Sequence, residues 1–384
     1  MDNRRRFIDY VKNGGSPICS PQIGAGAGFD TKMAGKEWVT QTSIEDTIAV
    51  VEQFDIVPLI TAGLCDFGAC NPELIWKQIK CEQNGDRISG EYAFETPYGT
   101  LERKVIEDKI KGCFAEKYPV QDSSNLDALE YYIDAAIACD LTEIERHVRN
   151  VMSMVAGRSA VCIQWPVQPY ELWCFPDTVT TVMLAYDCPE QFKRLMDKIV
   201  ILDERLMRAV AAGGADFIFL GGPAAEMISP RYYEDYIIPY SQQVTDIAHA
   251  LGLLVYSHIC SPIEPFLTMG FYNRMGIDLF ETLSPPPVGN VASLTDAMKK
   301  IDPSICTRGN LDLEVLLNGS PELVREKTIE ILESTMGRKH IVAASDYLFY
   351  GVPAENVHTM AETVKEYNGW SVSEPQREMV EANT

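Results

Sequence analysis

Histidine is scarce in this chain, with five among 384 residues. Cationic residues are outnumbered as well: 33 Lys and Arg stand against 55 Asp and Glu, a net charge of −22. So acidic a chain repels phosphate backbones and anionic lipid heads, which makes nucleic acid and membrane surfaces poor partners. The same charge also serves plain solubility. No apolar run approaches the ~18 residues of a membrane-spanning helix. The opening MDNRRRFIDYV carries arginines with no apolar stretch behind them, unlike an export signal. The eleven cysteines are odd in number and lack paired spacing, so they read as reduced thiols, many of them buried. Together these absences predict a cytoplasmic protein. No low-complexity tract or long linker divides the chain, which predicts a single domain over residues 1–384 with a frayed polar tail at 371–384.

What is present is a repeated alternation. Short apolar runs, DFIFLGG from Asp216, LLVYSH from Leu253, DLFETL from Asp278, SICTRGN from Ser304 and HIVAAS from His340, each end near a polar residue or glycine. They are too short for helices and rich in β-branched and aromatic residues, as buried strands are. Helical patterns separate them. Tyr236, Tyr240, Val244, Ile247, Ala248 and Leu251 share one face ahead of Gly252. SPELVREKTIEILESTMG has Ser320 as N-cap, Pro321 in the first turn and a stripe of Val324, Thr328, Ile331 and Leu332. PAENVHTMAETVKEY repeats the arrangement with Val357, Met360, Ala361 and Val364.

Strands and helices alternating at steps of roughly 25 to 37 residues argue for βα units and a parallel sheet. SPICS, IVPLIT and AVCIQW extend the series to eight strands, which predicts an α/β fold, a (β/α)8 TIM barrel. A doubly wound open sheet is the rival arrangement. RISGEYAFETPYGTLERKVIED alternates with period two around TPYG, predicting an antiparallel hairpin inserted at about 86–108.

In a parallel barrel the chemistry sits at the carboxyl ends of the strands. Those ends present Gln164 and Trp165, His258 and Cys260, Glu281, Thr307 to Asn310, and Ser345 with Asp346. Residues i and i+2 of an extended chain face one side, so His258 and Cys260 can reach one ion. Asp346 is the candidate third ligand, with Glu281 and Cys306 in reserve; three protein ligands leave a fourth position open, as in catalytic zinc sites. H-x-C by itself is a weak pattern, equally met by a hydrogen-bonded buried histidine beside an inert thiol. The loop QWPVQPYELWCFP and the segment DYLFYG bring Trp165, Tyr170, Trp173, Phe175 and Tyr347 toward the barrel mouth. Such rings either stack on a flat ligand or form the rim of the core. IGAGAGFD departs from the dinucleotide-binding spacing and reads as a flexible loop through which backbone approaches a ligand. The sequon at Asn318 carries no meaning in a chain with no sign of export.

EMISPRYYEDYIIPYSQQVTDIAHALGLLVYSHICSPIEPFL, RGNLDLEVLLNGSPELVREKTIEIL and PAENVHTMAETVKEY, in this order, resemble the uroporphyrinogen decarboxylase superfamily. Within it they look most like the corrinoid-dependent methyltransferase branch, which includes methylcobamide:coenzyme M methyltransferases and O-demethylase methyltransferase I. The resemblance covers residues 150–368; the first hundred match loosely. It implies a (β/α)8 barrel and a zinc site built on H-x-C plus a distal cysteine. His258 and Cys260 match the pair, and Asp346 stands where the distal cysteine would fall. Aspartate is a harder ligand than thiolate and leaves the ion less electron-rich. A second pattern of ether-demethylating relatives, Asp then Cys then Cys, maps onto Asp278, Cys306 and again Asp346.

The activity so implied is zinc-assisted transfer of a methyl group between a small molecule and the cobalt of a corrinoid (cobalamin) carried on a separate protein. A methoxylated aromatic ether is the expected donor, with a methylcobamide:thiol methyltransferase as the alternative. Glu281 and Cys306 are the expected catalytic groups, and Trp165, Tyr256, Arg308, Asn310 and Tyr347 the expected substrate contacts. The decarboxylases of the superfamily carry an arginine-rich R-Q-A-G-R signature in the loop after the first strand, whereas SPQIGAGAGFD has no arginine. A metal-free decarboxylase-like enzyme and a non-catalytic binder are the remaining alternatives.

Overall fold

The computed structural model describes residues 2–372, apart from 25, 166 and 224. The described residues form twelve strands. β1 (Ile18–Cys19) and β2 (Leu59–Gly63) come first, followed by β3 (Lys77–Asn84), β4 (Arg87–Thr96), β5 (Gly99–Asp108) and β6 (Gly112–Lys117). Then follow β7 (Ala160–Gln164), β8 (Phe217–Gly221), β9 (Leu254–His258), β10 (Leu279–Thr282), β11 (Cys306–Leu311) and β12 (His340–Ala344).

Eight of these form one sheet in the order β1-β12-β11-β10-β9-β8-β7-β2. Every pairing in it is parallel. The segment leading into β2 closes onto β1, where the Val57 N–H donates to the Cys19 carbonyl at 2.9 Å. Sequential order and this join describe a (β/α)8 barrel and set aside the open doubly wound sheet. The predicted helices are found at Ile238–Ala250, Pro321–Ser334 and Ala354–Val372, with Ser320 accepting from the Leu323 N–H as N-cap. Most of the expected tail, residues 373–384, lies outside the described residues.

The amino end of the barrel is plugged by the helix Asn3–Asn13, whose Phe7, Tyr10 and Val11 pack against Ile18, Cys162, Phe217, Leu279 and Cys306. Side chains thus fill the barrel interior at that end.

The expected hairpin is real but incomplete. β4 and β5 pair from Arg87 with Asp108 to Thr96 with Gly99, and β3 and β6 flank them to make a four-stranded antiparallel sheet. β3 is exposed along its whole length, so it lacks the alternating apolar signal that reveals a half-buried strand. The glycine-rich loop leads into a short helix, Phe29–Met33, entered through Gly28 at φ 98°. There Asp30 is buried and accepts from the Thr47 hydroxyl at 2.6 Å. This loop is anchored by packing.

Candidate functional site

His258 ends β9, and in the sheet register it lies beside Glu281 of β10, which lies beside Arg308 of β11. Three ionisable side chains on adjacent strands thus occupy one layer inside the barrel. Glu281 is fully buried, and donors crowd both its oxygens. At Oε1 it accepts from the Tyr256 hydroxyl and, at 2.6 Å, from His258 Nδ1. At Oε2 it accepts from Gln22 Nε2 at 2.8 Å and lies 3.2 Å from Arg308 Nη1. Arg308 also donates through Nε to the Ser20 carbonyl at 2.8 Å. Burial raises the Glu281 pKa, but Arg308 and the bonds from His258 and Tyr256 outweigh it, and the group stays below the usual carboxylate range.

An ionised carboxylate accepts only, so His258 donates from Nδ1, and whenever the ring is neutral its lone pair lies on Nε2, aimed the other way. That direction holds Asp346, whose Oδ1 is 3.5 Å from Nε2. One imidazole nitrogen of His258, Cys260 Sγ and a carboxylate oxygen of Asp346 all lie within 4.8 Å of one another. Asp346 Oδ1 is steadied by the Tyr347 N–H at 2.7 Å, and the Tyr347 ring lies over the imidazole with centroids 5.1 Å apart. His258 and Asp346 are mostly covered, whereas Cys260 is exposed, so the cluster has one open side. Without a cation, burial opposes protonation of His258, but hydrogen bonds to Cys260 and Glu281 prevail and push its pKa up to about 10. Burial pushes Asp346 up, partly offset by His258.

One imidazole nitrogen, one thiol and one carboxylate, with the histidine's second nitrogen held by a buried acid, form a donor set that suits zinc. The residues present fit the metal. Glu281, expected as a catalytic group or reserve ligand, has its oxygens taken up by Gln22, Tyr256, His258 and Arg308, and it orients the imidazole instead.

The remaining expected residues divide. Tyr256, Arg308 and Tyr347 surround the cluster. Cys306 does not join it, because it is the first residue of β11, packed with Phe7 and Tyr10 at the plugged end. Its thiol is pushed up to about 12 by burial, which makes it an inert core group. Asp278, likewise at a strand's start, is bonded to His249 Nε2 at 2.8 Å. Asn310 donates to the Leu283 carbonyl at 2.9 Å and lines an outer groove with Lys327 and Glu330. Trp165 is buried, donates through its indole to Asp203 at 2.9 Å, and lines a cavity between the barrel and the inserted sheet.

Two residues escaped the sequence reading. Gln22 was the one side-chain amide in the loop after β1, and Asp203 was a lone acid among Ile199, Leu202 and Leu206 on a buried helical face. A charged residue in an apolar stripe was the available signal.

A profile of the uroporphyrinogen decarboxylase (URO-D) family matches residues 175–367, just over half of the chain. The uroporphyrinogen decarboxylase of Synechococcus sp. (strain JA-2-3B'a(2-13)) is 28% identical over 187 residues, 48% of this chain and 50% of that protein. The one from Prochlorococcus marinus (strain MIT 9303) is 23% identical over 266 residues, 68% of this chain and 72% of that protein. The chain spans about half the length of the Synechococcus relatives it matches. Among solved structures, a methyltransferase from Methanosarcina mazei superposes with a TM-score of 0.68 at 15% identity, over 96% of this chain and 99% of that one. Such identity speaks for a shared fold. Barrel, strand order and family profile agree, and the chain belongs to the uroporphyrinogen decarboxylase family.

Proposed function

We propose that this chain is a methyltransferase that moves a methyl group from a small donor, an aryl methyl ether, to the cobalt of a corrinoid carried on a separate protein. One observation carries the reading: an imidazole nitrogen of His258, Cys260 Sγ and a carboxylate oxygen of Asp346 lie within 4.8 Å of one another at the carboxyl ends of the strands. A zinc ion held by these three would act as a Lewis acid on the ether oxygen. The chain's own part is orientation. Glu281 fixes the imidazole by its Nδ1–H, Arg308 balances that carboxylate's charge, and Tyr347 covers the ring. The exposed side at Cys260 leaves room for the donor and for the partner's corrinoid.

The curated relatives bear the name uroporphyrinogen decarboxylase, so decarboxylation of a porphyrin polyanion is the second reading. Binding such an anion calls for cations at the mouth. The loop after β1 instead contributes Gln22, and Arg308 is buried and already beside Glu281. Zinc-loaded protein incubated with cob(I)alamin and methoxylated aromatics tests the proposal by the absorbance change of cobalt methylation. Methylation that depends on both zinc and the ether supports it. Methyl transfer only from methylcobalamin to a thiol would point to the alternative acceptor chemistry, and porphyrinogen decarboxylation without metal would overturn it.

A further inference from the structure

A second feature of the same face lies two strands round the barrel from His258. Between the carboxyl ends of β2 and β7 and the inserted sheet is a cavity of about 430 Å³, in the range of small-molecule sites. Its walls include Phe67, Trp76, Tyr132, Trp165, Trp173 and Phe175. Three of the chain's five tryptophans therefore face one space.

This wall is built with care. Asp203, fully buried on the helix Pro189–Gly213, accepts the indole N–H of both Trp165 and Trp173 on one oxygen, each at 2.9 Å. Leu172, Trp173 and Cys174 hold φ values of 45°, 57° and 55° in succession. Three non-glycine residues in the left-handed region persist only where the surroundings over-determine them. Trp173 then stacks on Phe67, with ring planes 27° apart and centroids 5.8 Å apart.

The cavity also holds an unanswered charge. Two cations line it, Arg103 of β5 and Lys117 of β6. Lys117 is paired with Glu102 at 2.6 Å. Arg103 packs its guanidinium over Trp76 at 4.6 Å and Tyr92 at 5.3 Å, and its buried Nε has no hydrogen-bond partner. The lining carboxylate Asp66 accepts from the Gly68 N–H at 2.7 Å. In a chain with net charge −22, a guanidinium in an aromatic cavity, sharing it with the carboxylate Asp66 but in no ion pair among the described residues, is an uncommon choice.

We infer that this cavity is a binding site for a planar aromatic carboxylate, whose ring lies among the tryptophans and whose anionic group meets Arg103. Flat rings match the stacked walls, and a carboxylate matches the guanidinium fork. The inference concerns binding alone and does not depend on the metal cluster.

Calorimetric titration of the chelator-treated protein with 4-methoxybenzoate and with its neutral counterpart 4-methoxybenzamide tests it. The carboxylate should bind more tightly, and Arg103→Gln should weaken it by about tenfold to a hundredfold, the value of a charge-assisted bond, while leaving the amide unchanged. Quenching of tryptophan fluorescence should follow the same isotherm. Arg103→Lys keeps the charge without the fork and should fall between the two, which guards against a folding defect in the glutamine variant. No saturable binding, equal binding of acid and amide, or equal loss of both in Arg103→Gln would overturn the assignment. Ring binding without methyl transfer would leave this site standing and remove only the methyltransferase reading.

Discussion

Replacing Glu281 by glutamine perturbs the centre of the site without changing its volume. The carboxylate lies among four donors: Tyr256 and His258 at Oε1, Gln22 and Arg308 at Oε2. An amide has one accepting end, so two donors must face an NH2 group whichever way it turns. Whichever way it turns, the amide is neutral, so the fully buried Arg308 loses its counter-charge, which costs about 3–5 kcal/mol, and that cation holds the amide oxygen on its own side. With the NH2 toward His258, Nδ1 can no longer donate, the proton moves to Nε2, and the lone pair meant for the metal is lost. Disrupting such an orienting partner costs about 10- to 100-fold in metal affinity. Both terms act in the same direction, so Glu281→Gln should unfold at lower denaturant and bind zinc more weakly. Denaturant unfolding of the metal-free protein reads the first, and zinc competition against a chromophoric chelator reads the second. Unchanged zinc affinity in a folded Glu281→Gln protein would refute the argument that this carboxylate sets the imidazole tautomer.

Cys260→Ala should lose zinc under conditions that leave the parent protein with about one ion per chain, measured by elemental analysis after dialysis. Asp346→Cys should keep the site and tighten it, since a softer thiolate replaces a carboxylate; the same competition assay checks the sign. Burial raises Asp203 from the ordinary carboxyl range to about 8. The fold therefore favours its protonated form, and the associated stability is full below about pH 4 and fades as pH rises through about 8. Asp203→Asn keeps an acceptor for both indoles and does not titrate, so its melting temperature should gain on the parent across that window; parallel melting curves would contradict this. A methyl group on Gly309, at φ 139°, would stand 2.2 Å from the Thr282 carbonyl oxygen. Gly309→Ala should therefore destabilise the β10–β11 region by about 2–4 kcal/mol, read by denaturant unfolding.

The eight barrel strands were legible because parallel strands buried on both faces read as unbroken apolar runs. β3 was not, since a fully exposed strand has no apolar face to betray it. His258, Cys260 and Asp346 were legible as strand-end residues, and the structure brings them together. Cys306 shows where that reading fails. It begins β11, and five residues at ~3.3 Å each carry the strand away from it before the mouth is reached. Matching a ligand pattern by chain order alone ignores this length. Glu281 was recognised as important, but its role depends on what surrounds it: Gln22 arrives from β1 and Arg308 from β11, and only the closed barrel brings them near. Asp203 depends on two indoles from a loop about 30 to 40 residues earlier, a pairing that no local periodicity announces.

The central claim is that His258, Cys260 and Asp346 hold one zinc ion with a vacant position. X-ray absorption at the zinc edge of the loaded protein tests it most directly. One sulfur neighbour at about 2.3 Å and nitrogen or oxygen neighbours at about 2.0–2.2 Å are expected, with the sulfur signal absent in Cys260→Ala. A shell of light atoms alone in the parent protein, or no tightly held zinc at all, would contradict it.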